Sequence, residues 1–270
     1  MIIWLASYPK SGRTWVSSFL SNYIFNDGNE FSFQDLNKIR SFPSNLEISF
    51  LKRKFGSYKF IDLVNYWNNF QSQIIKNNNY TFLKTHNALC TVNGKSFTSL
   101  KNSLGLIYII RDPRDVAISY SSHLKIKLGE TVNLMLNESG VEKTEDNIDK
   151  TLMTSWANHY NSWKYFPVEK IIIKYEDLID SPDKVFSKII IFLNKLIKIK
   201  FNENLISKSI KNVRFEKLKD LEDKMGFEKN RSEEFFRVGK KEQYKELLPK
   251  NLEQLIIEKF KKEMLENNYI

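Results

Sequence analysis

The stretch IIWLASYPKSGRTW, Ile2 to Trp15, constrains the fold more than any other part of this 270-residue chain. A short apolar, β-branched-rich run over residues 2–8 enters a turn containing Pro9 and Gly12. Apolar positions then recur near helical spacing at Trp15, Val16, Phe19, Leu20 and Tyr23. A buried strand, a glycine turn and an amphipathic helix in immediate succession open an α/β unit. Such a turn aims backbone N–H groups at one point, and the helix N-terminus adds partial positive charge, so an anion is favoured there. Lys10 supplies a full charge, while Ser11 and Thr14 supply hydroxyl donors. The spacing is not the G-x-x-x-x-G-K-[ST] of an ATP or GTP loop, because the lysine precedes the glycine.

The rest of the chain continues the alternation. Residues 80–85 (YTFLKT), 104–110 (LGLIYII) and 170–178 (KIIIKYEDL) read as buried strands. Helices are expected from Asp112-Pro113 to about Lys127, over 150–165, over 181–196, and beyond residue 200 around a charged segment at 219–245. Residues 31–79 read as helices and loops near 33–39 and 59–76, and 129–150 as an acidic surface loop or short helix. The pattern predicts a central, mainly parallel sheet flanked by helices, in one domain over 1–270. The longest apolar runs are strand-sized, so no membrane span is expected. The N-terminus lacks the pattern of a signal peptide, and the single Cys90 excludes an internal disulfide, which together point to the cytoplasm. A formal net charge of +10 favours anionic partners but fits a generally basic surface equally well. Oligomeric state is not readable.

Two further stretches place chemistry at strand ends, where ligand sites of open α/β sheets lie. FLKTHNAL delivers Lys84 and His86, two residues apart and therefore on one side of the strand; a histidine there suits general-base work. LIYIIRDPRDVAISY places Arg111 at a strand end and Ser119 two turns into a helix, a pair able to hold a second phosphate. Alternatively, Arg111, Asp112, Arg114 and Asp115 form a self-satisfied ion-pair cluster. His123 and His159 lie on expected helices and read as structural.

Taken together and in this order, SYPKSGRTW, the Lys84-Thr85-His86 triplet and RDPRDVAISY resemble the soluble sulfotransferases that use 3′-phosphoadenosine 5′-phosphosulfate. The opening WLASYPKSGRTW looks most like bacterial members. The resemblance runs from Ile2 to about Leu248 and implies a P-loop-like three-layer fold. It further implies that Lys10, Ser11, Gly12, Arg13, Thr14 and Trp15 hold the 5′-phosphosulfate, with Lys10 at the oxygen bridging phosphate and sulfate. Arg111 and Ser119 match positions that bind the 3′-phosphate, and Trp15 and Tyr175 match aromatics packed against adenine. Arg237 and Gly239 match the loop that closes over the 3′-phosphate, but Val238 stands where the family has lysine; Lys240 and Lys241 are the candidates to replace its charge. The family's Gly-Asp-Trp is replaced by Glu242-Gln243-Tyr244, and Arg13 departs from the small or polar residue common at its position.

The implied reaction is in-line sulfuryl transfer to a hydroxyl or amine of a small-molecule or glycan acceptor. His86 is the expected base, Lys10 stabilises the leaving phosphate oxygen, Lys84 assists at the sulfuryl oxygens, and Ser119 restrains Lys10 until acceptor binds. The product would be 3′-phosphoadenosine 5′-phosphate, and no metal and no nucleic acid are expected. The competing expectations are a P-loop-like nucleotide kinase, and a non-catalytic nucleotide- or nucleic-acid-binding protein suggested by the charge. Acceptor shape is expected from residues 31–79 and 120–150, where Phe31, Phe33, Phe60, Tyr66, Trp67 and Phe70 read mainly as core.

Overall fold

The structure, a computed structural model, describes residues 1–76, 79–143, 149–227 and 235–270. The chain opens with β1 (Ile2–Ser7), α1 (Arg13–Phe25), a 3-10 turn (Phe33–Lys38) and the two-residue β2 (Arg40–Ser41). Next come α2 (Asn45–Phe55), α3 (Phe60–Ile75), β3 (Thr81–Thr85) and a small hairpin of β4 (Thr91–Val92) and β5 (Lys95–Ser96). The middle holds β6 (Ser103–Ile110), α4 (Pro113–Leu124), α5 (Leu128–Leu136) and the antiparallel pair β7 (Val141–Lys143) and β8 (Asp149–Leu152). It continues through α6 (Trp156–Lys164), β9 (Glu169–Lys174), α7 (Tyr175–Asp180) and α8 (Pro182–Ile197). The last elements are α9 (Glu203–Asn212), α10 (Phe215–Met225), α11 (Tyr244–Leu247) and α12 (Lys250–Glu266).

The main sheet has the order β2-β3-β1-β6-β9, and every neighbouring pair is parallel. Ala6 lies opposite Thr85 on one side and Tyr108 on the other, and Ile110 lies opposite Lys174. The carboxyl ends of β1, β3, β6 and β9 therefore share one edge. The chain crosses from one flank of β1 to the other between β3 and β6, which opens a crevice at that edge.

Alternation along the strands builds two cores. Ile2, Trp4, Ala6, Leu106, Tyr108 and Ile110 face one layer of helices, while Ile3, Leu5, Ile107, Ile109 and Ile173 face the other. Every residue of β1 is buried, as expected of a strand covered on both faces. Trp4 anchors the first core, with ring centroids 5.3 Å from Phe97 and 5.8 Å from Trp163 and its indole N–H on Ser103 Oγ at 3.0 Å. Burying side chains of this size contributes about 1.5–3 kcal/mol each. Trp67 and Phe70 belong to this core and Phe31 to the second, as expected, while Phe60, Tyr66 and Phe33 pack against the cores partly buried.

Several elements differ from the sequence pattern. The strand expected over 170–178 ends at Lys174, and Tyr175 starts a helix whose first turn carries Glu176 and Asp177. Acidic residues favour a helix start there, overriding the apolar continuity. Helix α2 was not expected; Ser44 caps it, with Glu47 reaching back in a capping box. The expected loop or short helix at 129–150 is α5 followed by part of the β7–β8 pair, and the helix expected from 150 starts at Trp156 under a Ser155 cap. Parts of the expected segments 31–79, 129–150 and 219–245, namely residues 77–78, 144–148 and 228–234, lie outside the described residues. Among the described residues, no helix is long and apolar enough to cross a membrane.

Candidate active site

The loop after β1 makes the first wall of the site. Lys10 takes the left-handed conformation at φ 63°, and Gly12 follows at φ 93°. Glycine is required at 12 on a second count: a Cβ there would lie 2.4 Å from Cδ2 of Tyr175. The Tyr175 ring thus rests directly on the loop backbone. Gly12 caps α1 without any side-chain hydrogen bond, the condition under which first-turn N–H groups serve an anion. Ser11 is buried, and its hydroxyl has no partner.

The end of β3 supplies the second wall. His86 is half-buried, and its Nδ1 lies 2.7 Å from the carbonyl oxygen of Ser7. A carbonyl only accepts, so Nδ1 carries the proton and Nε2 keeps its lone pair. Burial holds the imidazole well below its usual value of 6.5, reinforced by the positive charge of Arg13 and opposed by the Ser7 carbonyl. His86 is therefore a neutral ring of fixed tautomer at pH 7. Arg13, the residue at odds with the family pattern, lies close enough for its charge to act on this ring.

At the end of β6 the two arginines of RDPRD part. Arg114 forms the self-satisfied cluster: its Nε and Nη2 donate to the Asp112 carboxylate at 2.7–3.2 Å, and its Nη1 lies 3.3 Å from Glu253. Tyr244 stacks on that guanidinium at 3.8 Å. Arg111 instead turns toward the loop, donating from Nη1 to the Lys10 carbonyl and from Nη2 to the Lys240 carbonyl, both at 3.0 Å. Its guanidinium lies 4.3 Å from the Tyr175 ring centroid, and Asp115 sits 3.8 Å away. Burial raises the Asp115 carboxyl, while Arg111 and the Tyr244 and Glu242 amides hold it down. Arg111 Nε is buried without a partner.

These walls enclose a cavity of about 660 Å³. Lys10, Gly12, Arg13, Thr14, Trp15, Lys84, His86, Arg111, Ser119, Tyr175, Arg237 and Gly239 all line it, so residues up to 229 positions apart meet in one space. Ser11 is buried within the loop and does not line the cavity. Gly239 adopts φ 64°, and a Cβ there would meet Phe215 at 2.5 Å, so this loop too is closely packed. Neither Lys240 nor Lys241 lines the cavity; Lys241 pairs with Asp180. Lys10 Nζ sits 4.0 Å from the ring centroid of Phe235.

Sequence reasoning missed part of the wall. Tyr120 and His123 line the cavity from the last turns of α4, one and four residues after Ser119. The structural role expected for His123 overlooked this spacing, since i and i+4 share a helix face. Phe215, Phe227, Phe235 and Phe236 also contribute, from a region read only as helices and a charged segment. Their signal was the density of aromatics flanking Arg237 and Gly239. The expected acceptor regions contribute Ser41, Tyr120, His123, Leu124, Leu134, Val141 and Lys150, whereas the core aromatics named from 31–79 line none of it.

The residues fit a phosphorylated nucleotide. Trp15 Nε1 and Arg111 Nε, on two residues that line the cavity, are each buried and unpartnered, a cost of about 1–3 kcal/mol apiece that a bound anion would relieve. They sit beside an uncapped helix start and two aromatic rings.

The family model described as the sulfotransferase domain matches residues 2–268. Sulfotransferase 1B1 of Canis lupus familiaris is 27% identical over 226 residues, covering 80% of this chain and 65% of its own length. The chain thus spans just under two thirds of that curated relative. Among solved structures, mouse sulfotransferase SULT7A1 complexed with PAP superposes with a TM-score of 0.63 at 18% identity, covering 97% of this chain and 84% of the other. Retinol dehydratase in complex with retinol and PAP gives a TM-score of 0.65 at 18% identity, covering 97% and 81%. These likenesses establish the common fold, and the family match over nearly every residue makes this chain a member of the sulfotransferase family.

Proposed function

We propose that the chain transfers a sulfuryl group from 3′-phosphoadenosine 5′-phosphosulfate to a hydroxyl or amine of a small-molecule or glycan acceptor. It does so as one domain over residues 1–270, in the cytoplasm. The observation that carries this reading is His86: a neutral imidazole with Nδ1–H tied to Ser7, in a cavity shared with Lys10 and Lys84.

His86 Nε2 takes the proton from the acceptor hydroxyl as its oxygen bonds to sulfur and the bond from sulfur to the bridging phosphate oxygen breaks. The proton then passes from His86 to solvent. Lys10 meets the negative charge growing on the departing oxygen, and Lys84 steadies the sulfuryl oxygens. Ser119 and Arg111 hold the 3′-phosphate, Arg111 through its unpartnered Nε. Ser119 also restrains Lys10 until the acceptor arrives. Ser11, Gly12, Arg13 and Thr14 cradle the 5′-phosphate at the start of α1, and Trp15 and Tyr175 flank the adenine. Arg237 and Gly239 close the 3′-phosphate side, with Arg237 carrying the charge there since Lys241 is engaged by Asp180.

Turnover with labelled donor across phenols, alcohols, amino sugars and lipids tests the reading. His86→Ala should lose roughly 10²–10⁴-fold in kcat while keeping its affinity for 3′-phosphoadenosine 5′-phosphate. Wild-type turnover in that variant would refute the assignment of the base. Thermal stabilisation by ATP with Mg²⁺, and none by 3′-phosphoadenosine 5′-phosphate, would refute the donor and favour a kinase.

A further inference from the structure

The parallel ladder between β1 and β3 ends at Ala6 and Thr85, so the carbonyls just beyond it must find partners elsewhere. Helix α6 supplies them. His159 Nε2 lies 3.0 Å from the carbonyl oxygen of His86, and Trp163 Nε1 donates to the carbonyl of Asn87 at 2.9 Å. These donors are four residues apart, hence on one face of the helix, and both side chains are fully buried. The two consecutive peptide groups that follow the proposed base are thus gripped from α6.

The tautomer of His159 follows from its partners. The His86 carbonyl only accepts, so Nε2 of His159 bears the proton and its Nδ1 is the acceptor. Tyr108, next along the sheet on β6, completes the set: its hydroxyl lies 2.8 Å from that Nδ1 and donates to it. The chain of bonds runs Tyr108 O–H to His159 Nδ1, then His159 Nε2–H to the His86 carbonyl. The imidazole of His86 continues it, with Nδ1–H on the Ser7 carbonyl. Three strand ends, those of β1, β3 and β6, are thereby tied through two histidines. The His86 carbonyl sets the direction of the first two bonds, and the Ser7 carbonyl that of the third.

We propose that His159, oriented by Tyr108, is a positioning residue for His86: it holds the peptide carrying the base so that Nε2 keeps one place and one tautomer in the cavity. This rests on the sulfuryl-transfer reading, but the geometry it invokes can be measured without turnover. His159 does not line the cavity, so it acts only through His86. Leaving the His86 carbonyl without its donor removes one of the two bonds that hold that peptide, the other running from the Asn87 N–H to Thr85 Oγ1 at 2.9 Å. A displacement of about 1 Å at a reacting group costs on the order of 10²-fold in rate.

The test combines kinetics with ¹⁵N spectra of the three imidazoles. His159→Phe should lower kcat about 10²-fold and leave the affinity for 3′-phosphoadenosine 5′-phosphate unchanged, because the donor cradle lies on other elements. His159→Gln should restore most of that loss, since its amide N–H replaces the donor at Nε2. Tyr108→Phe should give a smaller loss, by leaving His159 Nδ1 without its donor and the ring less firmly oriented. In the wild type, His86 should be protonated at Nδ1 and His159 at Nε2, and in His159→Phe the His86 ring should sample both tautomers. Wild-type kcat in His159→Phe, a Gln variant no better than Phe, or a His159 proton on Nδ1 would each overturn the proposal. Absence of turnover by the wild-type protein with the sulfuryl donor would overturn the reaction instead, and the spectra would still decide the positioning.

Discussion

Gly12→Ala is a demanding test of the loop geometry, because two independent costs meet at one atom. Gly12 sits at φ 93°, and an L-residue in the left-handed region costs roughly 1–2 kcal/mol. The new Cβ would also lie 2.4 Å from Cδ2 and 2.9 Å from Cε2 of Tyr175, against an ordinary separation of about 3.5–4.0 Å between carbons. The ring must retreat by about 1 Å, and overpacking of this kind costs a further ~1–3 kcal/mol. A total near 3 kcal/mol is expected. The strain also spreads to the donor site. Tyr175 carries the Arg111 guanidinium at 4.3 Å, and Arg111 in turn holds the Lys10 carbonyl, so moving the ring disturbs the arginine and the loop together. Urea unfolding of Gly12→Ala, Tyr175→Ala and the double variant measures the two parts separately. Removing the ring should abolish the clash and leave the conformational cost, giving a coupling of about 1–3 kcal/mol between the sites. Titration with 3′-phosphoadenosine 5′-phosphate should show weakened binding by Gly12→Ala. A single variant within about 0.5 kcal/mol of wild type would refute the reasoning. So would strict additivity in the cycle.

Two further outcomes concern protons. The Arg13 charge helps hold the His86 imidazole below 6.5, so Arg13→Gln should raise the midpoint of the acid limb of kcat/KM toward that value; an unchanged or lower midpoint would show that Arg13 does not act on the base. Burial lowers His159 from 6.5 to about 3, so the unfolded chain binds the extra proton first and stability is lost as pH falls below 6.5. Between pH 7.5 and 5 the stability advantage of wild type over His159→Gln, followed by urea unfolding, should shrink by about 2 kcal/mol, and a constant difference would contradict the burial of a neutral ring.

The sequence makes the order of strands and the strand-end residues legible because both rest on local pattern. IIWLAS and LGLIYII are continuous apolar runs, and Gly12 marks the turn between strand and helix. Boundaries fixed by competition are less visible. In KIIIKYEDL the apolar run argues for strand, and only the acidic Glu176 and Asp177 signal that a helix starts at Tyr175. That boundary matters, since it delivers the Tyr175 ring onto Gly12.

Partnership across the chain is harder still to read. Arg111 and Arg114 are indistinguishable in RDPRD, and what separates them is remote: the Lys240 carbonyl receives one, and Glu253 and Tyr244 engage the other. The same holds for the proposed base. His86 could be chosen from FLKTHNAL because a strand end and a histidine coincide, but its tautomer is set by a backbone carbonyl on β1, and its peptide by a histidine on α6. Nothing in WANHYNSW distinguishes His159 from an ordinary core residue until Trp163, four positions on, is seen to grip the next carbonyl. A carbonyl left by the end of a ladder has no sequence signature of its own. Its need for a donor is nevertheless obligatory, so the search for who satisfies it leads from a base read in the sequence to the residues that orient it.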